Sequence, residues 1–281
     1  MGDEANPFAQ WIGQTESVDD FIAPAPSEAA AATLDDTERR FTDGTALPPL
    51  WHWFHFLAKA PQSRLGPDGH PQRGGFLPPI PLPRRMFAGA RIRFFTPLVV
   101  GRRAMREGTI RSITQKSGRT GNLAFVTVRY VIRQDGRLCL EEEQDIVYRE
   151  QGAAVSAPIP AIPPKRRRAW AEEVVPDPVL LFRFSALTFN GHRIHYDRPY
   201  AMDTEGYPGL VVHGPLTALL LMRLVRRNTG RQVCGFTFRG LAPLFDLAPF
   251  RLIGRTSGNR VLLSAHGPDA EPAMSAEVTF G

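Results

Sequence analysis

The sequence predicts an α+β protein, and three observations carry that expectation. One run, "VVHGPLTALLLMRLVRRNTG" at 211–230, is apolar on nearly every side and carries helix-boundary residues at both ends. Short runs that alternate apolar and polar residues follow it, separated by Gly, Pro, Asn or Asp. The first half of the chain carries a second set of alternating runs, so the plan occurs twice. A buried helix followed by strands with short connections is an α+β pattern built on antiparallel sheet.

The helix is expected to open at Gly214 and Pro215, as N-cap and first helical position, and to close before Gly230. Arg226 and Arg227 fall in its last turn, where they complement the helix dipole. Leu216, Leu219, Leu220, Leu221, Met222, Leu224 and Val225 leave it no polar face, so it must be wrapped by a sheet. After it, "QVCGFTFRG", "FRLIGRT" and "RVLLSAHG" read as strands. In "MSAEVTF", Met274, Ala276, Val278 and Phe280 share one face. In the first half, Val126, Val128, Tyr130 and Ile132 share a face of "NLAFVTVRYVI", flanked by "GARIRFFTP", "REGTIRSITQK" and "LCLEEEQDIVYRE". "SEAAAATLDD" is an alanine-rich helix candidate, and "GRTGN" is a glycine turn. The proline-rich, basic stretch "APIPAIPPKRRR" at 157–168 reads as a linker, dividing the chain into residues 1–156 and 169–281. The aromatic and Gly/Pro-rich stretch from Trp51 to Gly89 is a long loop of the kind that tends to be functional.

No run of eighteen apolar residues occurs, so no membrane helix is expected. The acidic N-terminal stretch lacks the form of a signal peptide, which gives a cytoplasmic expectation with Cys139 and Cys234 as reduced thiols. The net charge of +6 comes mostly from arginine, which suits phosphates and carboxylates. The basic residues are scattered and no nucleic-acid-binding motif is present, so nucleic acid is not expected as a partner.

The densest chemistry lies in "RFSALTFNGHRIHYDRPYA" at 183–201. His195 has the intrinsic pKa for proton transfer near neutrality. The helix that opens at Gly214 offers unpaired N–H groups to a developing negative charge. Those N–H groups are at Gly214 and Leu216; Pro215 has none, so Gly214 is the expected donor, with a plain N-cap role as the alternative.

These residues resemble the R-specific enoyl-CoA hydratases and related dehydratases of the hot-dog fold, the MaoC-like group, whose segment has the form S-x-x-T-G-D-x-N-P-x-H. Ser185, Thr188, Ile194 and His195 match in place, and Gly214 falls where the helix-opening glycine belongs. Phe189, Asn190, His192 and Arg193 depart from it, standing for glycine, the catalytic aspartate, asparagine and proline. The variant "SALTFNGHRIHYD", with "GGFLPPIPLPRRMFAG" and "EEEQDIVYR", is similar to a narrower branch. That branch includes the mitochondrial 3-hydroxyacyl-thioester dehydratases and the mesaconyl-C4-CoA and itaconyl-CoA hydratases.

The resemblance implies a double hot-dog fold, two antiparallel sheets each wrapping a long helix, with the chemistry in the second module. It implies an acyl-CoA substrate and a homodimer; no metal or redox cofactor is expected, because the histidines lack ligand spacing with carboxylates or cysteines and hydration needs no electron carrier. Asn190 cannot take a proton, so it is expected to orient water or to serve as a turn residue, and the acid/base work falls on His195. Asp197 is a candidate orienting partner for His195, with Tyr196 a weaker one. His192 is a substrate contact or a surface histidine, and His213 is structural. A dicarboxylic substrate would bury a second carboxylate, which needs a cation. Arg193, Arg84, Arg85 and Arg239 are the candidates, each with a solvated surface role as the alternative. The favoured activity is hydration of itaconyl-CoA or mesaconyl-C4-CoA to citramalyl-CoA. The alternatives are a 3-hydroxyacyl-thioester dehydratase of lipid synthesis and a non-catalytic acyl-CoA-binding module.

Overall fold

The computed structural model describes residues 6–118, 121–150, 169–269 and 271–281. The linker expected at 157–168 and part of the "GRTGN" turn lie outside the described residues.

The elements run β1 (Thr15–Phe21), α1 (Pro24–Thr33), β2 (Arg84–Phe94), β3 (Arg103–Gly118), β4 (Gly121–Gln134) and β5 (Arg137–Arg149). Then come β6 (Ala169–Val174), α2 (Pro178–Leu187), α3 (Gly214–Asn228), β7 (Val233–Gly240), β8 (Phe250–Ser257), β9 (Arg260–His266) and β10 (Pro272–Phe280). All ten strands form one sheet in the order β1-β3-β4-β5-β2-β7-β10-β9-β8-β6. Every pairing is antiparallel. The two expected sheets are thus joined edge to edge through β2 and β7, in register from Gly89↔Arg239 to Arg93↔Gly235. Gly89 makes this approach possible, because a Cβ there would lie 2.3 Å from the Phe238 carbonyl oxygen.

The helix α3 is buried along its length and packs against β8, β9, β10, β6 and β2. Its N-cap is His213, one residue earlier than the sequence reading placed it. At its other end Arg226 pairs with Asp36 at 2.8 Å, and Arg223 and Arg227 donate to the carbonyls of Leu34 and Asp35. The last turn of α3 is therefore pinned to the end of α1.

The first module departs from the expectation of a long helix in each half. Where that helix would stand, the chain makes a 3-10 turn at Trp51–Phe54, entered through Leu50 at φ +74°. Pro48, Pro49 and Pro61 bracket the run, and its Trp, His and Phe residues are weak helix formers. Their rings fill the space instead: Trp51 stacks on Phe41 at 5.2 Å, and Phe54 meets Phe184 of α2 edge-on at 6.1 Å. Two strands escaped the sequence reading, β1 and β6. Both are sheet edges, where acidic residues replace apolar alternation. The apolar run at Val179–Phe184 is helix α2, capped by the Asp177 carboxylate, which accepts from Leu180 N at 2.7 Å.

Candidate active site

The end of α2 sets the first residues of the site. Thr188 turns its hydroxyl back to the Phe184 carbonyl at 2.8 Å. The chain then passes through Phe189 at φ +49°, a conformation that suits the glycine of the related pattern. Asn190 N donates to Ser185 O at 2.8 Å, and Asn190 Oδ1 accepts from His192 N at 3.0 Å. The side-chain carbonyl of Asn190 thus shapes its own loop, while its NH2 group remains a donor.

His195 closes a short 3-10 turn, Arg193–His195. Its Nδ1 donates to Val211 O at 2.7 Å, in the segment just before α3. That bond fixes the tautomer and leaves the lone pair on Nε2. Val211 O therefore holds the position in which the sequence reading had placed Asp197. Asp197 instead pairs with Arg193, and Tyr196 donates to Gly191 O at 2.8 Å. The ring of His195 stacks on that of His213, centroids 3.6 Å apart. His213 Nε2 shares a hydrogen bond with Ser185 Oγ at 2.9 Å, and its Nδ1 is buried with no partner among the described residues. Burial holds both imidazoles neutral: it drives His195 down to about 4 against the opposing pull of the Val211 bond, and His213 well below the ordinary range.

Two cavities adjoin this loop. The larger, about 1160 Å³, lies between residues of the first module and the 182–196 segment. The smaller, about 230 Å³, is bordered by the mouth of α3 through His213 and Pro215. Asn190 borders both. His195 borders neither, but it keeps 8% of its surface accessible, against 1% for His213. Gly214, the first residue of α3, carries one of the helix's unpaired N–H groups at that mouth.

A second loop, residues 66–71, clasps the first. Gly69 lies so close to Gly191 that a Cβ on it would sit 1.8 Å from the Gly191 carbonyl oxygen. Across this contact Arg193 N donates to Asp68 O at 2.9 Å and Arg193 Nη1 to Pro67 O at 3.0 Å. The rings of His70 and His192 come to 4.1 Å, and His70 Nδ1 donates to the Asp68 carboxylate at 3.0 Å. The sequence spacing of the histidines showed no ligand set, yet Asp68, His70 and His192 bring ligand atoms within 4.8 Å of one another. Arg85 and Arg73 act electrostatically on His70, which disfavours a cation there.

The predicted arginines part company. Arg193 is held by Asp197, by Pro67 O and over the Tyr200 ring at 4.1 Å. Arg84 pairs with Glu205 at 3.1 Å. Arg239 is exposed on β7 and borders neither cavity. Arg85 borders the larger cavity only. His192 is buried between His70 and His195.

Sequence reasoning missed the first-module residues of the smaller cavity, above all Arg106, His52, His55 and Glu142. Glu142 is buried and accepts from His52 at 2.9 Å, Trp53 at 3.0 Å and Gln144 at 2.9 Å. Burial raises its pKa, but these bonds outweigh burial and keep it ionised. A signal was present: Arg106 and Glu142 occupy the inward register of their strands, Arg106 with Ala104 and Ile110, Glu142 with Leu140.

Two antiparallel modules in one sheet, with a histidine loop against a helix mouth, define the class: a double hot-dog protein of the MaoC-like dehydratase kind. Solved structures agree on the fold. A MaoC-like dehydratase matches 97% of this chain and 98% of its own at TM-score 0.73 and 12% identity. A Mycobacterium tuberculosis protein described as having a double hotdog fold matches 96% of each chain at TM-score 0.61 and 14% identity. The family model for hydroxyacyl-thioester dehydratase type 2 matches residues 50–246, and the chain belongs to that family. Among curated relatives, the mesaconyl-C(4)-CoA hydratase of Chloroflexus aurantiacus is 65% identical, over 96% of this chain and 97% of its own. The mitochondrial hydroxyacyl-thioester dehydratase type 2 of Schizosaccharomyces pombe is 27% identical, over 85% of this chain and 90% of its own.

Proposed function

We propose that the protein is a hydratase that adds water to mesaconyl-C4-CoA to give citramalyl-CoA. The observation that carries this reading is the 65% identity to the Chloroflexus mesaconyl-C(4)-CoA hydratase across nearly the whole of both chains. The site supplies the parts the reaction needs. The thioester carbonyl lies at the mouth of α3, where the N–H of Gly214 meets the enolate oxygen. Asn190 orients the water through its NH2 group. His195 Nε2 takes the proton as the water oxygen bonds to the β-carbon, and the imidazolium returns a proton to the α-carbon. Water is consumed whole, so the reaction calls for no metal and no redox carrier.

A cytoplasmic location and a homodimeric assembly are further parts of this proposal. Cys139 and Cys234 are free, and among the described residues no helix is long and apolar enough to cross a membrane. Itaconyl-CoA is the second substrate to try, because His195 could also shift its double bond. The test is turnover of mesaconyl-C4-CoA, itaconyl-CoA and crotonyl-CoA side by side, read as formation of the hydrated thioester by chromatography. Fastest turnover, by kcat/KM, is expected for mesaconyl-C4-CoA. Preference for crotonyl-CoA and longer unbranched chains would shift the assignment to a lipid dehydratase.

A further inference from the structure

We propose that the smaller cavity receives the free carboxylate of a dicarboxylic acyl group, with the Arg106 guanidinium as its counter-charge and His55 Nε2 as a second donor. This deepens the function proposed above and rests on it. The cavity, about 230 Å³, is small for a fatty chain. At about 30 Å³ per water-sized group it holds on the order of eight heavy atoms, the size of a five-carbon dicarboxylic acyl group.

The cavity also offers donors with nothing to bond. His55 is 3% exposed and its Nε2 has no partner among the described residues. The Nε of Arg106 is buried and likewise unpartnered. One carboxylate, Glu16, reaches Arg106, and at 3.4 Å that contact is long for a charge-assisted bond. The guanidinium lies over the Tyr130 ring at 4.7 Å, which holds it in place without neutralising it. Glu142, the one acid among the residues bordering the cavity, has both oxygens occupied by His52, Trp53 and Gln144. Asn190 and His213 border the same space, so a carboxylate at Arg106 lies on the acyl group whose reacting carbons face the α3 mouth. None of Arg84, Arg193 and Arg239 borders this cavity.

Two measurements test the inference, one by turnover and one by binding alone. In Arg106→Leu, the ratio of kcat/KM for mesaconyl-C4-CoA to that for crotonyl-CoA is expected to fall roughly a hundredfold. Arg106→Lys is expected to recover part of it. In binding, the wild type is expected to hold succinyl-CoA at least tenfold more tightly than butyryl-CoA, with Arg106→Leu removing the difference. An unchanged substrate ratio in Arg106→Leu, or equal affinities in the wild type, overturns the inference while leaving the hydratase assignment standing. A wild type that turns over none of these thioesters overturns the assignment, and the binding comparison then decides the inference by itself. Should Arg106→Leu fail to fold, Arg106→Lys and His55→Phe carry the same two comparisons.

Discussion

Replacing Gly69 by alanine tests whether the two loops work as one site. Gly69 adopts φ +85°, and its new Cβ would lie 1.8 Å from Gly191 O and 2.8 Å from Gly191 C. Both obstacles are backbone, so no side-chain rotation relieves them. The left-handed conformation itself costs about 1 kcal/mol for alanine. Parting the loops by an ångström or more breaks the bonds from Arg193 to Asp68 O and Pro67 O, at about 0.5–1.5 kcal/mol each. The sum, about 2–4 kcal/mol, exceeds what docks a six-residue loop and falls short of unfolding a domain. Residues 66–71 are therefore expected to undock while the sheet stays intact. A displacement of about 1 Å near the chemistry lowers kcat/KM on the order of a hundredfold. Thermal melting should fall by about 5–10 °C. Gly230→Ala, where a Cβ meets nothing within 4 Å, is the control. Parental melting and a kcat/KM within about threefold for Gly69→Ala would refute the clasp as a part of the site.

Other expectations follow from the same geometry. His195→Ala should lose on the order of 10²–10⁴ in kcat and keep its circular dichroism; wild-type-like rates would end its acid/base role. Asn190→Asp should remain within about tenfold of the parent, since it restores the aspartate of the related enzymes; a loss as deep as that of His195→Ala would mean the amide is essential. For His195 and His55, burial drives the pKa of the folded state to about 4, below the ordinary 6.5. Between those values the unfolded chain binds more protons, so stability rises with pH through this window, is complete above about 6.5, and is lost as pH falls toward 4. The urea midpoint should therefore be lower at pH 5 than at pH 7, and a flat profile would contradict the neutral, buried imidazoles.

What the sequence made legible was local pattern. The alternation in β4 and β10 and the all-apolar α3 are period signals that burial preserves, so their faces fall where the residues place them. The edge strands were hidden because an edge needs charge more than it needs apolar residues. The long helix expected in the first module came from the resemblance and not from its residues; prolines bracket the run where a 3-10 turn stands instead. At the site, His195, Asn190 and Gly214 stand on one continuous segment with its helix. Asp68 and His70 are brought in by contacts with Arg193 and His192 more than 100 residues along the chain, and Arg106 meets the site from a strand 84 residues before Asn190; a single sequence has no local signature for either. The tautomer of His195 was equally hidden, because a backbone carbonyl, Val211 O, fixes it.

The 3-10 turn at Trp51–Phe54 has a consequence beyond architecture. Over the first half of the sheet the chain sets down a loop, and residues from His52 to Leu77 wall both chambers. That stretch, together with Arg106, Tyr130, Glu142 and Gln144 of the strands, shapes the space for the acyl tail, while proton transfer belongs to a separate segment. Swapping that stretch among relatives should re-tailor which acids are accepted while the reaction itself goes on as before.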